Sequence, residues 1–211
     1  MTLLIVTDAR FWRDESAHAQ RTAFFVSTLA PQIPDLCVYY DDALWPDERA
    51  ALTAAYPALT VHELPWLVKL GRMRRNRFRS IARRLGKKTP PGPLVREQRK
   101  AFETLCAEIN PALILCTHPR MAVMLEGLPP STRAFVDCHA SLALHPGAAP
   151  HEVAEAEQER AYMARFEGLI ARNAEEAEAL AQLIPGRPVT IADDNNNAGL
   201  AALIQSVTSG N

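Results

Sequence analysis

Arg165-Phe-Glu-Gly-Leu-Ile-Ala-Arg-Asn-Ala-Glu-Glu-Ala-Glu-Ala-Leu180 changes character half-way along its length. Gly168–Ala171 is a short apolar run, the polar pair Arg172 and Asn173 interrupts it, and from Ala174 to Leu183 the residues are helix formers. A second apolar run follows at Pro188–Ala192. Strand, polar hinge, helix, strand is the unit from which parallel sheets are built.

Working outward, the same alternation fills the chain. Candidate strands lie at Leu3–Thr7, Leu36–Tyr40, Thr60–Glu63, Ala112–Cys116 and Ala134–Cys138. Helical patterns lie at Ser16–Leu29, Asp47–Ala55, Trp66–Leu85, Leu94–Ile109, Pro119–Leu125 and Pro150–Phe166. Several strands are near-continuous apolar runs, as expected where both faces of a sheet are covered. The fold class that follows is α/β: a doubly wound, mostly parallel sheet of about six to seven strands with helices on both faces. At 211 residues and 48% hydrophobic the chain can bury a core, and global disorder is excluded. One domain over residues 1–195 is expected, carrying a basic amphipathic insertion at 66–100, with a tail at 196–211 in which Leu200–Val207 has helical character.

Apolar runs fall far short of the ~20 residues that cross a bilayer. The N-terminus has no basic n-region and meets Asp8, so it reads as a first strand rather than a signal peptide. Cys37, Cys106, Cys116 and Cys138 are scattered, which favours buried thiols in a reducing compartment over disulfides.

Charge is strongly segregated. Thirteen of the 23 Lys and Arg residues lie between Lys69 and Lys100, against the single acid Glu97, while the whole chain has a net charge of −1. Such a block points to an anionic partner. From Trp66 apolar residues recur at Leu67, Leu70, Met73, Phe78, Ile81 and Leu85. Arg72, Arg74, Arg75, Arg79, Arg83 and Arg84 fill much of the other face, and Arg77 lies at the boundary. This fits a helix lying in a membrane interface, where each cation contributes about 1 kcal/mol near an anionic leaflet. Two other readings stay open: a packing helix with its stripe on the sheet and solvated arginines, or a nucleic-acid contact. The last is disfavoured, because the segment offers only Phe78 for base stacking and matches no reader motif.

Ligands of open parallel sheets bind at the carboxyl ends of the strands. Those ends carry Asp8 and Arg10, Thr117 and His118, Asp137 and His139, and Arg172 and Asn173. Asp137 lies two residues before His139 on the same side of its strand, where a carboxylate can orient the imidazole; the plain alternative is a histidine bonded to a neighbouring loop. There is no glycine-rich dinucleotide or phosphate loop, and no nucleophile elbow. Cys116, His118, Cys138 and His139 match no zinc spacing, so neither metal nor cofactor is expected.

The opening strand Leu-Leu-Ile-Val-Thr-Asp8, the helix from Ala17 to Leu29, the strand Phe135-Val-Asp-Cys-His139 and the passage Arg165–Leu180 running into Pro-Val-Thr-Ile-Ala192 together resemble the N-terminal, acceptor-side half of a GT-B-fold glycosyltransferase. The resemblance is to the large retaining class that uses nucleotide sugars, and it implies a Rossmann-like domain whose strand-end histidine, here His139, borders the acceptor crevice. Arg10, His118, Asp137 and Arg172 are then the candidate neighbours for phosphate or sugar hydroxyls. Two departures stand out. Phe11, Trp12 and Arg13 occupy the first loop, where the family has glycines, and the donor-binding second domain has no counterpart, the chain ending just past the linker position.

The resemblance therefore implies an acceptor domain for a lipid-linked or cell-envelope glycan. On this reading it is expected to be cytoplasmic, peripheral at the inner membrane surface and inactive alone, as either a fragment of a longer enzyme or one subunit whose partner chain carries the donor site. Self-association through the vacant face is a second expectation. The alternatives are a non-catalytic recruitment or assembly module and, less favoured, a nucleic-acid-binding protein.

Overall fold

The computed structural model describes residues 2–13, 15–71, 73, 94–129, 131–139, 141–144, 150–193 and 198–208. Seven strands form one sheet: β1 (Thr2–Thr7), β2 (Asp35–Tyr40), β3 (Thr60–Glu63), β4 (Leu113–Cys116), β5 (Ala134–Asp137), β6 (Gly168–Ala171) and β7 (Val189–Ile191). Their order is β3-β2-β1-β4-β5-β6-β7, and every neighbouring pair is parallel. The fold is α/β and Rossmann-like. The chain runs outward from β1 on one side and from β4 on the other, so the topological switch point lies between those strands, where Val6 faces Cys116.

Strand alternation explains why the apolar runs are unbroken. Leu3 and Ile5 enter one core layer, with Phe25, Val26 and Leu29 of α1 (Ala17–Leu29) and Leu52 of α2 (Pro46–Ala55). Leu4 and Val6 enter the other, against Phe102 and Leu105 of α3 (Leu94–Ile109), Met163 of α4 (Pro150–Met163) and Leu180 of α5 (Ala174–Leu183). Both faces are thus dry, and burying the larger apolar side chains is worth about 1.5–3 kcal/mol each. The last helix, α6 (Ala198–Thr208), places Leu200, Leu203 and Ile204 in the same layer as Leu3 and Ile5. It reaches the sheet through Gly199, where a Cβ would lie 1.7 Å from the Ile191 carbonyl oxygen.

Local signals set the helix starts. Ser16 caps α1 by accepting from Ala19 N at 3.1 Å. Asn173 caps α5, accepting from Glu176 N at 2.8 Å, while the Glu176 carboxylate accepts from Arg172 N at 2.8 Å. The helical stretch expected at Pro119–Leu125 is a 3-10 helix over Pro119–Gly127. The helix expected to run to Phe166 ends at Met163. The four cysteines are free; Cys106, Cys116 and Cys138 are buried and Cys37 is half-buried. Desolvation raises all four thiol pKa values, Cys106 to about 12.

Of the basic segment, residues 66–71 and 73 are helical. Arg72, Arg74, Arg75, Arg77, Arg79, Arg83 and Arg84 lie outside the described residues. Among the described residues no helix is long and apolar enough to cross a membrane.

Candidate functional site

Polar side chains collect at the carboxyl ends of β1, β4 and β5. Asp137 closes β5 and is only 1% exposed. A carboxylate so buried is tolerable only when its oxygens are fully engaged. Arg21, on the second turn of α1, donates its Nη2 to Oδ1 at 3.1 Å and its Nε to both oxygens at 3.3 Å. Its guanidinium lies 4.6 Å from the Phe25 ring centroid, so the cation is held on an aromatic face. The second partner of Asp137 is His139, whose Nδ1 lies 2.7 Å from Oδ2. A carboxylate accepts, so Nδ1–H donates, and in the neutral tautomer that this bond favours the lone pair is on Nε2.

His139 opens onto a cleft of about 370 Å³ shared with Arg21, Gln20, Phe24, Tyr56 and Arg172. Two of the five expected crevice residues, His139 and Arg172, line it together with Arg21, and Asp137 is bonded to both Arg21 and His139. The other two do not line this cleft. Arg10 pairs with Glu48 of α2 at 3.0 Å and bonds Tyr40, whose hydroxyl is the largest influence raising the guanidinium pKa. His118 caps the 3-10 segment, accepting from Arg120 N at 3.2 Å, with its Nε2 3.6 Å from Glu159. Buried Glu159 also accepts from Ser141 Oγ at 2.8 Å and Leu142 N at 2.7 Å, so this pair ties α4 to the loop after β5.

Behind the cleft runs a seam of hydroxyls. His18 Nε2 lies 2.9 Å from Thr117 Oγ1, which is 3.0 Å from Thr7 Oγ1. Thr22 donates to the His18 carbonyl at 2.9 Å, and Asp8 lies 3.7 Å from His18 Nδ1. Burial pushes the His18 pKa below its ordinary value, against the pull of Asp8 and Asp137 and with the push of His139 and Arg120. Sequence reading missed His18, Arg21 and Glu159. The signal for the first two was present: positions 18, 21, 22 and 25 share the helix stripe that Phe25 and Leu29 carry inward, and ionisable residues there need a buried partner. No group of three or more His, Cys, Asp or Glu residues among the described residues is placed to hold a metal.

The parallel sheet, with a polar cleft between α1 and the loops after β5 and β6, has the fold of several solved structures. A UDP-glucosyltransferase from Polygonum tinctorium capable of glucosylating indoxyl superposes with a TM-score of 0.54 at 12% identity, over 91% of this chain and 52% of its own. The fold is GT-B glycosyltransferase-like. Phytolacca americana UGT2, complexed with UDP-2-fluoro-glucose and pterostilbene, gives 0.53 at 9% identity, over 91% of this chain and 53% of that one. A transferase from Siraitia grosvenorii in complex with UDP gives 0.51 at 12%, over 98% and 54%. The chain spans about half the length of the solved structures it matches. No protein-family model and no curated protein matches the sequence.

Proposed function

We propose that this chain is the N-terminal, acceptor-binding half of a retaining, nucleotide-sugar-dependent glycosyltransferase whose acceptor is a lipid-linked or cell-envelope glycan. The observation that carries the reading is the Arg21–Asp137–His139 chain, whose arginine and histidine line a cleft at the strand ends of a GT-B-like sheet. Arg21 fixes the carboxylate, the carboxylate fixes the imidazole tautomer, and His139 Nε2 is left to accept a hydrogen bond from an acceptor hydroxyl. Arg172, at the rim, supplies positive charge for a phosphate on the acceptor. Donor binding is assigned to residues outside this span, on a further segment or a partner chain.

The test starts with a pull-down from native extract to find a partner, followed by transfer assays with labelled nucleotide sugars and lipid acceptors. The chain alone is expected to transfer no sugar, and the reconstituted pair is expected to transfer it. Replacing His139 by Ala in that pair should reduce transfer by two orders of magnitude or more, the usual scale for a positioned acid–base group. Turnover by the isolated chain would remove the need for a donor half, and unchanged transfer after His139→Ala would remove the cleft assignment. One observation favours a second reading, a non-catalytic assembly module: Phe11 and Trp12, packed edge-on at 5.2 Å, fill the loop above the sheet with aromatic bulk.

A further inference from the structure

The helix that starts at residue 66 is turned inside out. Its buried residue is a lysine: Lys69 is 6% exposed, donates its Nζ to the Ala43 carbonyl, and lies 3.4 Å from Asp42. The ammonium also lies 4.9 Å from the Trp66 ring centroid and 5.2 Å from that of Trp45, and the two indoles meet edge-on at 4.7 Å. The outward residues are apolar. Leu67 is 84% exposed, Leu70 52% and Met73 51%, spaced three apart, and Trp45 at the start of α2, packed on Trp66 of the same helix as that row, is 48% exposed. A helix normally places its leucines inward and its lysine outward. Here a four-point clasp on Lys69 holds the reverse orientation, so the apolar row is a presented surface.

Charge identifies the occupant. The apolar row opens the stretch from Lys69 to Lys100 that holds thirteen of the 23 cations in the sequence. Nucleic acid would meet those charges and leave Leu67, Leu70 and Met73 without an apolar phase. An anionic bilayer answers both, offering phosphates to the cations and acyl chains to the row, with indoles at the headgroup level that suits them. We propose that Trp45, Leu67, Leu70 and Met73 form a membrane-docking surface specific for anionic lipid. The inference goes beyond the acceptor reading and stands or falls apart from it, because sugar transfer enters no measurement below.

The full chain is mixed with vesicles of phosphatidylcholine alone or of phosphatidylcholine with phosphatidylserine, and bound protein is measured by flotation. Binding is expected only with phosphatidylserine, together with a blue shift of tryptophan emission that Trp45→Phe diminishes. Leu67→Glu with Leu70→Glu should weaken partitioning about tenfold or more, as loss of two inserted side chains requires. Both substituted positions are exposed, so an unchanged melting temperature certifies the fold. Three results would overturn the proposal. The first is no flotation with anionic vesicles. The second is flotation undiminished in the double variant, which would leave charge alone as the cause. The third is a wild-type dimer, seen by light scattering, that the double variant converts to monomer, which would make a second copy the occupant.

Discussion

Asp137 concentrates the energetics of the candidate site in one carboxylate. It has no water to turn to, so Arg21 and His139 are its solvation. Replacing Arg21 by Met strands the charge and should cost about 3–5 kcal/mol in denaturant unfolding. The double change Arg21→Met with Asp137→Leu should restore most of that stability while leaving His139 unoriented, so the acceptor binding proposed for it should stay lost. Recovery of both would show that the pair serves packing alone. His18 gives a pH prediction. Its folded pKa is depressed by burial, so below the ordinary value of about 6.5 the unfolded chain takes up a proton that the folded chain refuses. Stability should therefore fall as pH drops below about 6.5, by at most about 1.4 kcal/mol per pH unit from this group, and level off beneath the folded pKa. His18→Gln should flatten that part of the profile in pH-dependent melts. At this scale Asp137 and His139 were legible because strand ends are readable from apolar runs. For Arg21 only the burial was legible, from the inward helix stripe; its partner was not, because nothing along the chain tells which strand end a helix face will cross.

At the scale of elements, close approach decides what a helix or strand tolerates. A methyl at Gly168 would fall 2.4 Å from the Phe135 ring, and one at Gly199 would strike the Ile191 carbonyl. The ring belongs to a side chain and can turn, whereas the carbonyl is backbone and cannot. Gly199→Ala should thus destabilise by about 1–3 kcal/mol and Gly168→Ala by less, measured by chemical denaturation. Equal losses would mean that α6 shifts as easily as a ring flips. The central strands were readable because two dry faces demand unbroken apolar runs. The helical stretch at Pro119–Leu125 was legible, but not that it would be 3-10, because so few residues cannot separate a repeat of three from one of 3.6. The orientation of the helix at 66 was also beyond periodicity, since the stripe of Leu67, Leu70 and Met73 is the same whether it faces core or solvent, and the clasp on Lys69 depends on Trp45 from a distant turn.

For the whole molecule, the sheet order places β1 and β4 side by side and leaves β3 and β7 as edges, and the cleft lies between α1 and the loops after β5 and β6. About half of each neighbouring structure lies outside the matched portion, and the proposed scheme assigns donor binding to residues outside this span. Integrity of this single two-layered core can be read from its thiols. Cys106, Cys116 and Cys138 should resist iodoacetamide at neutral pH while half-buried Cys37 reacts slowly, and all four should label together once the sheet opens. Rapid native labelling of Cys116 would mean that the β1–β4 seam breathes.

Lys69 leaves one consequence at this scale. An ammonium wedged between two indoles and a main-chain oxygen is shielded from acylating reagents and from enzymes that modify lysine. Its rate of acetylation would therefore time how often that grip lets go, and once acetylated the residue could no longer return to its cage.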